Sequence, residues 1–120
     1  VVSLLKKQSP VIHGDGTQTR DFIYIDDVVR ASILVLNKGK TGIFNVGSGK
    51  EVSLNEIFKL LKDILGAKIE PIYKISAAQE SKRSALNVEK TKEKLGWQTR
   101  MNIKDGLDET VKWFQKNGRL

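Results

Sequence analysis

Arg20 is the side chain in this 120-residue sequence best equipped to grip an anion. Its guanidinium presents a planar fork of donors matched to phosphate oxygens and stays charged at any physiological pH. It follows a turn of small polar residues, Gly14-Asp15-Gly16-Thr17-Gln18-Thr19, and precedes the apolar run Phe22-Ile23-Tyr24-Ile25. An arginine at the mouth of a strand can reach a bound diphosphate; on spacing alone, an ion pair with Asp15 or Asp21 is the favoured assignment. Asp26 and Asp27 invite an acid/base or metal role. A helix start stabilises acids through its free N–H groups and dipole, so this pair reads as structural. His13 is the sole histidine and cysteine is absent, so a metal at His13 would depend on carboxylates alone. Gly47-Ser48-Gly49 resembles a phosphate-binding turn but lacks the third glycine of a dinucleotide fingerprint, and tight-turn geometry accounts for it.

The elements that must hold these residues are short. Val1 to Gln8 reads as the end of a helix, Val11-Ile12-His13 as a strand, and Gly14 and Gly16 as positions that allow positive φ. Asp21 to Ile25 reads as a second strand, Asp26 as an N-cap, and Val28 to Leu36 as a helix apolar nearly all round and therefore buried. Asn37 to Gly42 ends that helix with glycine punctuation. Ile43 to Val46 reads as a short buried strand. Ser53-Leu54-Asn55-Glu56 is a capping box opening a helix that Gly66 stops. A strand over Ile69 to Tyr73 is broken at Pro71 and belongs at an edge. Ile75 to Arg83 reads as a loop, and Asn87 caps a helix ending at Leu95-Gly96. Asn102 opens the last helix, with Ile103, Leu107, Val111 and Phe114 on one face. Trp97, Trp113 and Phe114 have the spacing of core anchors. The predicted architecture is a compact α/β layer, one domain over residues 1–120.

Bulk properties narrow the function classes. The formal charge of +7 is spread among interleaved acids without a basic run longer than two residues or an aromatic platform. Solvated helix faces account for it better than nucleic-acid binding, which would need a basic patch and steep salt dependence. No apolar stretch approaches the roughly 20 residues that span a bilayer. The start Val1 to Lys7 places its charge after its apolar residues, unlike a signal peptide. Without cysteine there is no disulfide or thiolate chemistry, and a cytoplasmic location is the expectation. The sequence lacks an initiator Met, which points to a piece of something longer.

Three motifs taken together, Gly14 to Val28 with its Gln18-x-Arg20-Asp21-Phe22 core, Asn45 to Gly49, and Leu95-Gly96-Trp97 with the helix after it, resemble one family. That family is the extended short-chain dehydrogenase/reductases, the NAD-dependent sugar-nucleotide epimerases and dehydratases typified by UDP-glucose 4-epimerase. The resemblance reverses the order of readings for Arg20. It implies that Arg20 contacts the diphosphate of a nucleotide sugar, with Phe22 close to the same ligand. Counted back from Leu95-Gly96-Trp97, the family's Arg-x-Gly-Asp falls on Ala77 to Glu80. The usual second arginine is thus Ala77 here and the acid is Glu80, which is expected at the substrate together with Arg83. Lys82 or Arg83 is the candidate to replace the missing arginine.

The resemblance covers the carboxy-terminal, substrate-facing part of such an enzyme, a small α/β unit without the dinucleotide-binding sheet. Tyr24 and Tyr73 are followed four residues later by Val28 and Ala77, so the family's Tyr-x-x-x-Lys is absent. The resemblance therefore implies NAD(P) in the intact parent and none on this chain, no catalysis by this part alone, and an N-terminal Rossmann domain as partner. The face meeting that domain should be apolar and prone to self-association. A free-standing binding module for nucleotide sugars or other polyanions is the alternative.

Overall fold

Local sequence signals set most of the helix ends in the computed structural model, which describes residues 1–75 and 81–118. In chain order the elements are α1 (Val2–Leu5), β1 (Val11–His13), β2 (Thr19–Arg20), α2 (Ile25–Lys38), β3 (Val52–Ser53), α3 (Leu54–Leu65), β4 (Ile72–Lys74), α4 (Glu89–Leu95) and α5 (Ile103–Asn117). At α3 the Ser53 side chain accepts from the Glu56 N–H while the Glu56 carboxylate reaches back to the Ser53 N–H, the reciprocal cap expected. Gly66 closes that helix in the left-handed conformation, as Gly39 closes α2 and Gly96 closes α4. Asn102 caps α5 by accepting from the Asp105 N–H.

The strands form two separate pairs. β1 runs parallel to β4, with Val11 opposite Ile72 and His13 opposite Lys74; β2 runs antiparallel to β3, with Thr19 opposite Ser53 and Arg20 opposite Val52. The packing has two apolar centres. Leu4, Leu61 and Val111 join α1, α3 and α5, and Ala31, Leu95 and Trp97 join α2 to α4 and the turn after it. At roughly 25 cal/mol per Å² of apolar surface removed from water, burial of this kind is the main stabilising term, and Trp97 is its largest buried side chain.

Several expectations are corrected. The second strand is Thr19–Arg20, and Asp21 to Tyr24 carries no ladder, because Asp21 instead bonds a remote turn. Asp26 does not cap α2: Tyr24 is the N-cap residue, the helix begins at Ile25, and both aspartates sit in the first turn. α2 is not buried all round, since Ile25, Val29, Ile33 and Leu36 are exposed, Leu36 by 78%. Ile43 to Val46 forms no strand. It is pinned from the side by Asn45, whose amide donates to the Asn87 carbonyl while its own carbonyl accepts from the Thr91 hydroxyl, and Ile43 is 84% exposed. The edge strand lies at Ile72–Lys74, beyond Pro71. Asn87 does bond the Glu89 N–H, but Val88 is the residue that borders α4. Trp113 is exposed and meets Phe114 edge-on, so it anchors no core. No described helix is long and apolar enough to cross a membrane.

Candidate functional site

The turn before Arg20 is fastened to the start of α3. The N–H groups of Leu54 and Asn55, orphaned by their place at a helix N-terminus, donate to the carbonyls of Gln18 and Gly16 at 3.2 and 3.0 Å. The Asn55 amide donates to the Asp15 carbonyl at 3.0 Å, and its oxygen accepts from the Tyr73 hydroxyl at 3.0 Å. Gly16 has φ +75°, and a Cβ there would lie 2.0 Å from the Asn55 side-chain oxygen, so only glycine lets the turn close on α3. Asp15 is tied within the turn by the Thr17 hydroxyl and N–H, and these bonds hold its carboxyl below the usual range.

This anchored turn delivers β2. Arg20 is half-buried, and its Nη1 donates to the carbonyls of Thr19 and Ser81, each at 2.8 Å. The Thr19 N–H donates to the Lys82 carbonyl at 2.9 Å. Residues 81–83 therefore run beside β2 on the edge away from β3. Arg83 is held from Nε by both oxygens of Glu51, at 2.9 and 3.3 Å, and Glu51 also accepts from the Thr19 hydroxyl at 2.9 Å. The Arg83 bond and the Thr19 hydroxyl hold the Glu51 carboxyl low, and the Glu51 carboxylate raises Arg83.

Two aspartates that flank the strand segment do structural work. Asp21 seats in the Gly47-Ser48-Gly49 turn, accepting from the Ser48 N–H at 2.7 Å, the Ser48 hydroxyl at 2.5 Å and the Gly49 N–H at 2.9 Å; the Leu86 N–H donates to it at 3.2 Å. Burial pushes its carboxyl up, but the Ser48, Leu86 and Gly49 donors outweigh that and leave it lowered. A Cβ on Gly47 would lie 2.6 Å from the same carboxylate. The turn's anion seat is filled by the protein's own side chain. Asp27 is buried at 3% exposure and accepts from the Thr99 hydroxyl at 2.6 Å, the Arg30 guanidinium at 2.6 Å, and the N–H groups of Arg100 and Met101 at 2.9 and 3.0 Å. Its backbone carbonyl takes the Trp97 indole N–H at 3.1 Å. Burial again opposes ionisation, and the Thr99, Arg30, Met101 and Arg100 donors reverse it, holding the carboxyl well below the carboxylate range.

The structure brings together Arg20 and the segment carrying Lys82 and Arg83, a neighbourhood the sequence named without being able to show. Phe22 is half-buried two residues on and lines a cavity of about 180 Å³ with Tyr24, Met101, Ile103 and Gly106. Glu80 and Ala77 lie outside the described residues. His13 is exposed on β1, where its carbonyl accepts from the Gln18 amide at 2.6 Å. No group of three or more His, Asp or Glu able to hold a metal occurs among the described residues. The residues that sequence reasoning missed are Glu51 and Asn55. Glu51 stands two positions before a recognised capping serine and Asn55 inside that box, yet their partners lie 32 and 40 residues away.

Comparison with known proteins places this geometry. Residues 2–110 match the family described as GDP-mannose 4,6 dehydratase. A Methanocaldococcus jannaschii protein provisionally named UDP-glucose 4-epimerase is 43% identical over 97% of the chain, and the UDP-glucuronate 4-epimerase of Thermodesulfobacterium geofontis is 35% identical over 99% of it. Among solved structures, the Thermotoga maritima UDP-glucose 4-epimerase with UDP-glucose superposes on 95% of the chain with TM-score 0.90 and 42% identity. The chain spans only 37% of the length of the first and third of these and 38% of the second. The chain therefore belongs to the GDP-mannose 4,6-dehydratase family of NAD-dependent sugar-nucleotide epimerases and dehydratases, and its α/β fold corresponds to the carboxy-terminal part of an extended short-chain dehydrogenase/reductase.

Proposed function

We propose that residues 1–120 form a single substrate-binding domain, the nucleotide-sugar-binding portion of an NAD-dependent sugar-nucleotide epimerase or dehydratase, not catalytic by itself. The observation that carries this is the 0.90 TM-score and 42% identity to an epimerase solved with UDP-glucose, of which the chain covers 37%. Arg20, fixed between β3 and residues 81–83, is the diphosphate contact. Its fork of N–H donors suits two phosphate oxygens at once. Phe22 lies beside the ligand, Glu80 is a further contact, and one cation of the Lys82–Arg83 pair completes the anion site.

NAD does not fit the residues present. The chain's one Gly-x-Gly turn after an extended segment has its N–H groups committed to Asp21, so it cannot seat a cofactor pyrophosphate. Tyr-x-x-x-Lys is absent from the sequence. In this reading, hydride transfer and the proton chemistry belong to an N-terminal Rossmann domain of the intact enzyme, and this part holds the nucleotide diphosphate and closes over the sugar. A thermal-shift panel of UDP-, GDP- and dTDP-sugars on the chain tests the reading. At least one class is expected to raise the melting temperature, and NAD is expected not to. Stabilisation by NAD alone would overturn the assignment.

A further inference from the structure

We infer that Lys82, not Arg83, supplies the second positive charge beside Arg20 for a ligand's diphosphate; the inference rests on the function proposed above. A diphosphate ester carries more than one negative charge, which a single guanidinium leaves partly unbalanced. Two cations follow one another in the segment alongside β2, and the geometry separates them.

Thr19 and Arg20 are successive residues of β2, so their side chains leave opposite faces of the ribbon. The Thr19 hydroxyl donates to Glu51, and Glu51 holds Arg83 through Nε, so Thr19, Glu51 and Arg83 share one face. Arg20 leaves by the other face, that of its cross-strand neighbour Val52. Arg83 is thereby turned away from Arg20, and its charge is compensated by Glu51 at 2.9 Å. Lys82 precedes Arg83 in a segment pinned to β2 at two points: its own carbonyl accepts from the Thr19 N–H, and the Ser81 carbonyl accepts from Arg20. The alternation that turns Arg83 onto the Thr19 face turns Lys82 toward the Arg20 face.

The field around Asp15 agrees. After the Thr17 bonds, the Lys82 charge also helps hold the Asp15 carboxyl low, so the ammonium lies near the turn that leads into Arg20. Asp15 itself is occupied by Thr17, and among the described residues no carboxylate pairs with Lys82 at ion-pair distance.

The test measures UDP affinity of the 120-residue chain and its Lys82→Gln, Lys82→Arg, Arg83→Gln and Arg20→Ala variants between about 50 and 200 mM salt. Lys82→Gln is expected to weaken UDP binding about fivefold and to flatten its salt dependence, with Lys82→Arg restoring both. Arg83→Gln is expected to stay within about twofold of the parent, since its partner is Glu51. Weakening by Arg83→Gln with Lys82→Gln unchanged would overturn the assignment while leaving the Arg20 site standing. If the chain fails to bind UDP, or binds it equally with Arg20→Ala, the proposed function itself fails and this inference with it.

Discussion

Asp27 shows what one buried carboxylate does when every lone pair is answered. Its four donors come from Arg30 on its own helix and from residues 99–101, more than 70 positions along the chain, and they tie the start of α2 to the turn before α5. Replacing it by Asn keeps the shape but points an amide N–H₂ at groups that are themselves donors. Asp27→Asn is expected to lower stability by about 2–4 kcal/mol at neutral pH. The folded carboxyl is held low relative to an unfolded value of about 4, so its contribution is complete above that value and fades as acid protonates it in the folded state. Urea unfolding of wild type and variant should therefore show a gap that is widest near pH 7 and narrows below about pH 4. A gap of constant size down to pH 2 would contradict this role.

At the scale of elements, α3 and α2 carry opposite lessons. Ser53→Ala removes one half of a reciprocal cap whose other half, Glu56, remains, and should cost about 1 kcal/mol by thermal or chemical unfolding. No change on that substitution would show that packing alone sets the start of the helix. α2 presents Ile25, Val29, Ile33 and Leu36 to solvent at helical spacing, a stripe of apolar surface with no cover among the described residues. Self-association of the chain through this stripe is expected in equilibrium sedimentation, and Ile33→Glu with Leu36→Glu should abolish it while circular dichroism stays unchanged. A clean monomer at high concentration would remove the stripe as a contact surface. The capping box and glycine stops were legible because helix ends are decided within four residues of the chain. The stripe was misread as buried because periodicity reports which residues are apolar, not what stands opposite them. Ile43 to Val46 failed for a related reason. β-prone residues make a strand only when a ladder partner is present, and here side-chain bonds from Asn45 and Thr91 hold the segment instead. Neither Asp21 nor Glu51 could be assigned from sequence, since Asp21 finds Ser48 at a separation of 27 residues and Leu86 at 65, and Glu51 finds Thr19 and Arg83 each 32 away.

For the whole molecule, the two apolar centres and the two small strand pairs converge on one arrangement: a turn seated on α3, a two-residue strand, and a segment from the other half of the chain laid along its edge. Arg20 sits where these meet, with its guanidinium already holding two carbonyls on the strand edge, and the site reads as an anion seat rather than a reaction centre. That the motif around Arg20 was legible follows from its residue types alone; that residues 81–83 close against it required the fold. The central claim is that Arg20 binds the diphosphate of a nucleotide, and titration calorimetry of UDP and UMP into the wild-type chain and Arg20→Ala measures it directly. The account predicts that wild type binds UDP more tightly than UMP, and that Arg20→Ala weakens UDP about tenfold or more while erasing the preference for the second phosphate. Equal affinity of the two proteins for UDP would contradict it.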